Sequence, residues 1–357
     1  MTYLCTLEVP KIIVGVDTHR DEHVAVVLDK LGVRIGQYRL PTTNAGYLSL
    51  QRWVRNLGEA IAFGVEGTSS YGAGLTRYLK SQGHNVIEVN RPDRSTRRRL
   101  GKSDPTDAEM AARAVLAGVA RDRPKSSDDK VEMIRMLKNT RDSAIKARTQ
   151  AINQMKALVV TAPIDLRETL RNLTTIQLVA LCARWHCSAL QTPISAARYA
   201  LRSLARRHIQ FTREIETLSR ELERLTVATT PMLMELLGIG FETASTLLVT
   251  AGNNPERLKS EASFAALCGV NPIPASSGKN NRYRLNRGGD RQANAALYRI
   301  VIVRLRCDFR TRKYLQRRME EGKTKTEVVR CLKRYVAREV FDILRHINES
   351  QLKSDLS

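Results

Sequence analysis

Three features of this 357-residue sequence predict an α/β domain joined to a long all-helical region. Short β-branched runs alternate with helix-period segments up to residue 125. Heptad-spaced apolar residues then replace that alternation. A glycine turn between two apolar helical segments finally opens a strongly basic stretch. Alternating strand and helix signals imply a sheet covered by helices, whereas sustained helical period implies packed helices alone.

In chain order, "KIIVGVD" is an apolar, β-branched first strand ending on Asp17, and "EHVAVVLDKLGVRIGQYRL" reads as two strands joined by a turn at Gly32. "NAGYLSLQRWVRNLG" carries helical spacing, with Asn44 expected as its cap and Gly58 as its stop. "AIAFGVE" is a fourth strand ending on Glu66, "GAGLTRYLKSQG" a second helix, and "NVIEV" a fifth strand. Three antiparallel strands followed by helix–strand alternation predict a mixed sheet of the ribonuclease-H kind.

From residue 126 the pattern is helical. Ile145, Ile152 and Val159 recur every seven residues. Leu201, Leu204, His208, Phe211, Ile215, Leu218, Leu222 and Leu225 follow a three-four alternation. That is a coiled-coil seam interrupted once, by His208, and it could close within one chain or between chains. At "TPMLMELLGIGFETASTLLVTAG" a last region begins with a helix-hairpin-helix-like pattern, whose glycine turn could offer backbone N–H groups to phosphates. The expected domains are therefore 1–125, 126–228 and 229–357.

The net charge of +23 excludes an ordinary metabolite enzyme and favours a polyanionic partner, of which nucleic acid is the commonest. From Lys279 to His346 there are 20 Lys and Arg against 7 Asp and Glu. Such an excess repels itself unless a polyanion neutralises it. No apolar run is long enough for a membrane span and no signal-peptide pattern opens the chain, so a cytoplasmic, nucleoid-associated address is expected. The six cysteines lack metal-site or disulfide spacing, and "CARWHC" (182–187) reads as thiols without a zinc ion.

Asp17 and Glu66 end apolar strands, where a carboxylate is costly unless water, a cation or hydrogen bonds receive it. Parallel neighbouring strands would bring both to one sheet edge. In "GKSDPTDAEM", Asp104 and Asp107 are three apart on a helix start, hence on one face. Asp104 also reads as an N-cap with Pro105 after it, so capping and metal binding both remain open here. Together the four acids form a hard oxygen set suited to Mg²⁺ or Mn²⁺. Arg94, Arg97, Arg98, Arg99 and Lys102 would guide a phosphate backbone toward them, and Lys279, Arg282, Arg284, Arg287 and Arg291 offer a second basic group. His19, Asp21, Glu22 and His23 are expected in the turn after Asp17, outside the ligand set.

"VGVDTHRDEHVAVV", "GVEGTSSYG" and "KSDPTDAEMAARAV" resemble the RuvC-like DEDD domain of insertion-sequence transposases, the bridge-RNA-guided recombinases. "LGIGFETASTLLVTAG", the segment from "FAALCGVNPIPASSGK" onward, and "CLKRYVAREVF" resemble the second domain of that family. The resemblance implies metal-bound Asp17, Glu66, Asp104 and Asp107, and a nucleophilic serine at Ser277, with Ser276 as the alternative. It also implies donor and target DNA, a noncoding bridge RNA, and a homodimer or homotetramer. Leu237 and the Gly289-Asp290 pair depart from the commoner pattern of proline and Gly-Asn. Rivals are a Holliday-junction nuclease using the same acids, a non-enzymatic nucleic-acid binder, and an actin-like ATPase. The last would need a glycine beside the aspartate for phosphate approach, which Asp17-Thr18-His19 lacks.

Overall fold

The computed structural model describes residues 9–89, 103–124, 130–186, 190–252, 258, 260–275 and 283–354, the side chains of 347–354 excepted. The chain divides into two compact units, one comprising residues 1–129 with 251–263 and 348–357, the other 130–250 with 264–347.

The first unit is built on five strands: β1 (Lys11–Thr18), β2 (Glu22–Asp29), β3 (Arg34–Pro41), β4 (Glu59–Glu66) and β5 (Val86–Val89). Their order is β3-β2-β1-β4-β5, with the first three antiparallel and β1, β4 and β5 parallel. This is the mixed, ribonuclease-H-like sheet that the sequence predicts. The β2–β3 turn uses Gly32 at φ +83°, a left-handed conformation that glycine adopts without penalty.

Strand alternation sorts the core onto two faces. Ile12, Val14, Val16, Phe63 and Val65 pack with α1 (Asn44–Leu57) and α2 (Ala73–Ser81) through Leu50, Val54, Leu75 and Leu79. Ile13, Val24, Val26 and Leu28 pack on the other face against Ala108 and Ala112 of α3 (Asp104–Leu116). Each fully buried residue of this kind contributes about 1.5–3 kcal/mol. One boundary differs from expectation: Thr43, not Asn44, caps α1, because its hydroxyl accepts the Gly46 N–H at 3.1 Å. Gly58 ends that helix as expected.

In the second unit, α4 (Lys130–Thr161) packs along α7 (Pro193–Thr229), with α5 (Ile164–Leu170) and α6 (Thr175–Arg184) closing one end through Met155, Leu166, Leu178 and Leu201. The apolar seam of α7 is thus covered from within the chain. Leu201, Ile215, Leu222 and Leu225 are buried in it, and His208 is half-buried, its pKa lowered by burial and then by Arg148. On α4 the buried line runs through Ala144, Ala151 and Val159, so Ile145 and Ile152 flank it rather than form it. Arg141, buried on α4, donates to Ser219 Oγ on α7 at 2.7 Å.

The remaining elements are α8 (Pro231–Met234), α9 (Phe241–Ala251), α10 (Glu261–Leu267), a hairpin of β6 (Pro272–Pro274) and β7 (Tyr283–Leu285), α11 (Arg291–Cys307), α12 (Phe309–Glu320) and α13 (Lys325–Ser354). Where a hairpin of helices is expected, α8 has only four residues before the turn into α9. That turn places Gly238 at φ +83°, and the Gly240 N–H is taken by Thr243 Oγ1 at 3.1 Å. Asp290 accepts the N–H groups of Gln292 and Ala293, capping α11. Asparagine caps equally well, so this departure from the commoner pattern preserves the helix start. Cys182 and Cys268 are buried thiols, pushed up to about 11 and about 12 by desolvation. No helix among the described residues is long and apolar enough to cross a membrane.

Candidate metal centre

Two Gly-Val-acid triplets create the site. Gly15-Val16-Asp17 ends β1 and Gly64-Val65-Glu66 ends β4, and the register sets Gly15 beside Gly64 and Val16 beside Val65. The valines belong to the α1–α2 core, so alternation turns both glycines and both acids to the face that carries α3. The glycines are a geometric requirement. A Cβ on Gly15 would lie 2.0 Å from the Ala108 carbonyl oxygen and 2.4 Å from the Ala112 nitrogen. One on Gly64 would lie 2.7 Å from Val115 Cγ2. Backbone-to-backbone contact therefore seats α3 on the sheet, with its first turn toward the strand ends. A 2.8 Å hydrogen bond from Thr18 Oγ1 to the Glu66 carbonyl ties those ends together.

The helix start falls one residue earlier than the sequence suggests. Ser103 is extended at the N-cap, its carbonyl accepts the Asp107 N–H at 3.0 Å, and Asp104 is the first helical residue. Asp104 is thus released from capping. Its Oδ1 lies 3.4 Å from His19 Nε2 and its Oδ2 lies 4.0 Å from an Arg39 guanidinium nitrogen. Asp107, one turn into the helix, is buried together with Asp17 and Glu66.

His19 is the residue that sequence reasoning left out. It follows β1 in the turn, as expected, but its imidazole folds back so that Nε2 lies 3.1 Å from Asp17 Oδ2. Its backbone N–H is held by Nδ1 of buried His23 at 3.3 Å, and the His23 ring stacks on Tyr47 with centroids 6.0 Å apart. Ligand atoms of Asp17, His19 and Asp104 all lie within 4.8 Å of one another. Glu66 and Asp107 stand at the same sheet end and on the same face, without belonging to that closest trio. A histidine two residues beyond a strand-end aspartate, in "DTH", was the available signal.

The electrostatics call for a cation. Burial raises the Asp17 pKa, His19 opposes that rise, and the Asp107 and Asp104 carboxylates add to it. A divalent ion would relieve both the desolvation and the mutual repulsion, and the donor set is chemically suited to one.

The other predicted site residues divide in two. Ser276 and Ser277, Arg94, Arg97, Arg98, Arg99, Lys102, Lys279 and Arg282 lie outside the described residues. Arg284 on β7, Arg287 between β7 and α11, and Arg291, the first residue of α11, belong to the second unit and are exposed.

Residues 14–162 match a transposase family model of the DEDD, IS110 type. Residues 230–316 match the model described as the transposase IS116/IS110/IS902 family. The chain is 32% identical over 116 residues to an uncharacterized 43.6 kDa protein of insertion element IS110 from Streptomyces coelicolor, covering 32% of this chain and 28% of that one. It is 23% identical over 371 aligned positions to an uncharacterized 42 kDa protein of insertion element IS900 from Mycobacterium paratuberculosis, covering 90% and 92% of the two chains.

Proposed function

Because this chain belongs to the IS110 family of insertion-sequence transposases, we propose that it cuts and rejoins DNA at the Asp17–Glu66–Asp104–Asp107 site, with a serine as nucleophile. The observation that carries the reading is the convergence of Asp17 and Asp104 at one end of a glycine-seated helix–sheet contact. The four carboxylates would hold a divalent cation, Mg²⁺ or Mn²⁺. When bound, that cation supplies charge neutralisation at a phosphate and at the oxygens entering and leaving it.

The chain's own residues do the remaining work. Asp17 and Glu66 are fixed by the sheet register, and Asp104 and Asp107 by the first turn of α3. The helix N-terminus, with its macrodipole and free N–H groups, is a favourable place for negative charge. The nucleophile of this reading is Ser277, with Ser276 as the alternative, on the strength of the family resemblance alone. Its hydroxyl oxygen attacks phosphorus, one P–O ester bond of the DNA breaks, and a phosphoserine ester forms while the departing oxygen takes up a proton. The reverse attack by a new DNA hydroxyl restores the serine, so bond energy is conserved through strand exchange. Basic residues of both units grip phosphates, and a bridge RNA supplies sequence choice by pairing, as guide RNAs do elsewhere. The seam of α7, already covered by α4, leaves association as a dimer or tetramer to other surfaces of these helices.

The test is capture of the covalent intermediate. Element-end DNA, Mg²⁺ and full-length protein are incubated, denatured, and analysed for a phosphoserine peptide. Adduct formation by wild type, lost in Ser277→Ala with DNA binding retained, is expected. Cleavage with no adduct would mean that water is the nucleophile and the chain is a metal-dependent hydrolase.

A further inference from the structure

The C-terminal part of the second unit contains a cavity of about 580 Å³ between the β6–β7 hairpin, the end of α12 and the first turns of α13. Its chemistry is unlike that of a generic basic surface. Arg330, Arg334 and Arg338 recur every four residues, so one stripe of α13 faces it. Arg317 and Arg318 approach from α12, and Arg284 from β7. Among the described lining residues the one acid is Glu327, which accepts the Thr324 N–H and hydroxyl at 2.9 and 2.8 Å at the start of α13, while Glu321 beside the cavity pairs with Arg317 and Arg318.

Aromatic faces are interleaved with these cations. Tyr314 and Tyr335 meet edge to face with centroids 5.7 Å apart, and the Arg317 guanidinium lies 5.4 Å from the Tyr314 centroid. Tyr283, on β7, is 69% exposed, and Tyr335 is 46% exposed. The wall beneath is fixed. Lys333 Nζ donates to Asn294 Oδ1 at 2.8 Å, and Asn294 Nδ2 donates to the carbonyls of Cys268 and Gly269.

We propose that this cavity is a cup for one unpaired nucleotide of a nucleic-acid strand, its base stacked on tyrosine and its flanking phosphates held by the arginine stripe. The volume falls in the range of sites that enclose a small ligand, too small for a base pair with its two backbones. A duplex offers a protein surface its phosphates and groove edges, leaving exposed rings without a partner. An unpaired base presents a π face that every tyrosine or guanidinium plane can cover. An acidic peptide would satisfy the arginines but not the rings. The cup shares no residue with the four-acid site, so its failure would leave the proposed chemistry standing.

Full-length protein is titrated into fluorescently labelled 12-nucleotide single strands, one of RNA and one of DNA, and into the blunt duplex of the same DNA sequence. Tyr283→Ala and Tyr335→Leu are expected to weaken single-strand binding by about five- to a hundredfold, the range of one lost base stack. Duplex binding should stay within twofold, and Tyr283→Phe should behave as wild type. Loss confined to the ribo- or the deoxy-strand identifies which polymer supplies the nucleotide. Equal loss on single strand and duplex would reduce the cup to a charged surface. Unchanged single-strand binding by both variants would also overturn the proposal.

Discussion

Gly15 and Gly64 are register partners on parallel neighbouring strands, and α3 lies directly on the patch they leave bare. This contact sets the height of Asp104 and Asp107 above Asp17 and Glu66. A methyl group at Gly15 would sit 2.0 Å from a helix carbonyl oxygen, so the backbone must move. Gly15→Ala is expected to cost about 1–3 kcal/mol as an overpacked core contact. It should also abolish DNA cleavage at temperatures where the variant is still folded. Gly240→Ala, where a Cβ would meet nothing within 4 Å, is the steric control for the melting experiment.

Asp17 links the site to pH. Its pKa is raised, first by burial, so the folded state holds its proton more tightly than the unfolded state does. Stability is therefore lost as pH climbs from the ordinary carboxylate value of 3.8 through the raised one, and the penalty is complete above it. Asp17→Asn removes the penalty. Metal-free variant should melt higher than metal-free wild type at neutral pH, and the two curves should converge on acidification. Divalent cation should raise the melting temperature of wild type only, by mass action on the folded state.

His19 brings an imidazole nitrogen to two carboxylates, at 3.1 and 3.4 Å. Nitrogen ligands suit Mn²⁺ better than Mg²⁺, which prefers oxygen and water. His19→Ala is expected to weaken Mn²⁺ binding several-fold in calorimetric titration while Mg²⁺ binding changes less. Equal loss for both ions would mark His19 as a positioning residue for Asp17 and Asp104 and not a ligand.

Leu201 is fully buried where α7 meets the closing helices of the second unit. Truncation to alanine should cost about 2–5 kcal/mol, as deletions in packed cores do. Denaturant unfolding of the Leu201→Ala variant checks this value. A loss below about 1 kcal/mol would mean that this end of the helix pair is packed loosely in solution.

The sheet was legible because period-two burial and strand-end acids are local signals. Ile12, Val14 and Val16 read as one face, and Asp17 and Glu66 fell at the ends where the register puts them. The cap was misplaced by one residue for a local reason too. Ser103 and Asp104 are both good N-caps, and proline is tolerated in the first turn from either start. Only the extended backbone at Ser103 decides between them. The "DTH" spacing put His19 close to Asp17 in sequence but did not fix its return, which depends on a side-chain rotation and on His23, four residues away, holding its N–H. The proposed nucleotide cup was invisible for a different reason. Its walls come from four separate segments between residues 269 and 338, and charge counting found the arginines without their tyrosines.

The most direct test is Mg²⁺-dependent cleavage of element-end DNA by wild type and by Asp107→Asn, at matched melting temperature and matched DNA occupancy. Asp107 is 3% exposed at the first turn of α3, so the nearly isosteric amide preserves packing while removing one carboxylate of the proposed metal set. Loss of cleavage by at least a hundredfold with folding and binding intact is the predicted result. Cleavage at the wild-type rate by the amide variant would contradict a metal centre built on these acids.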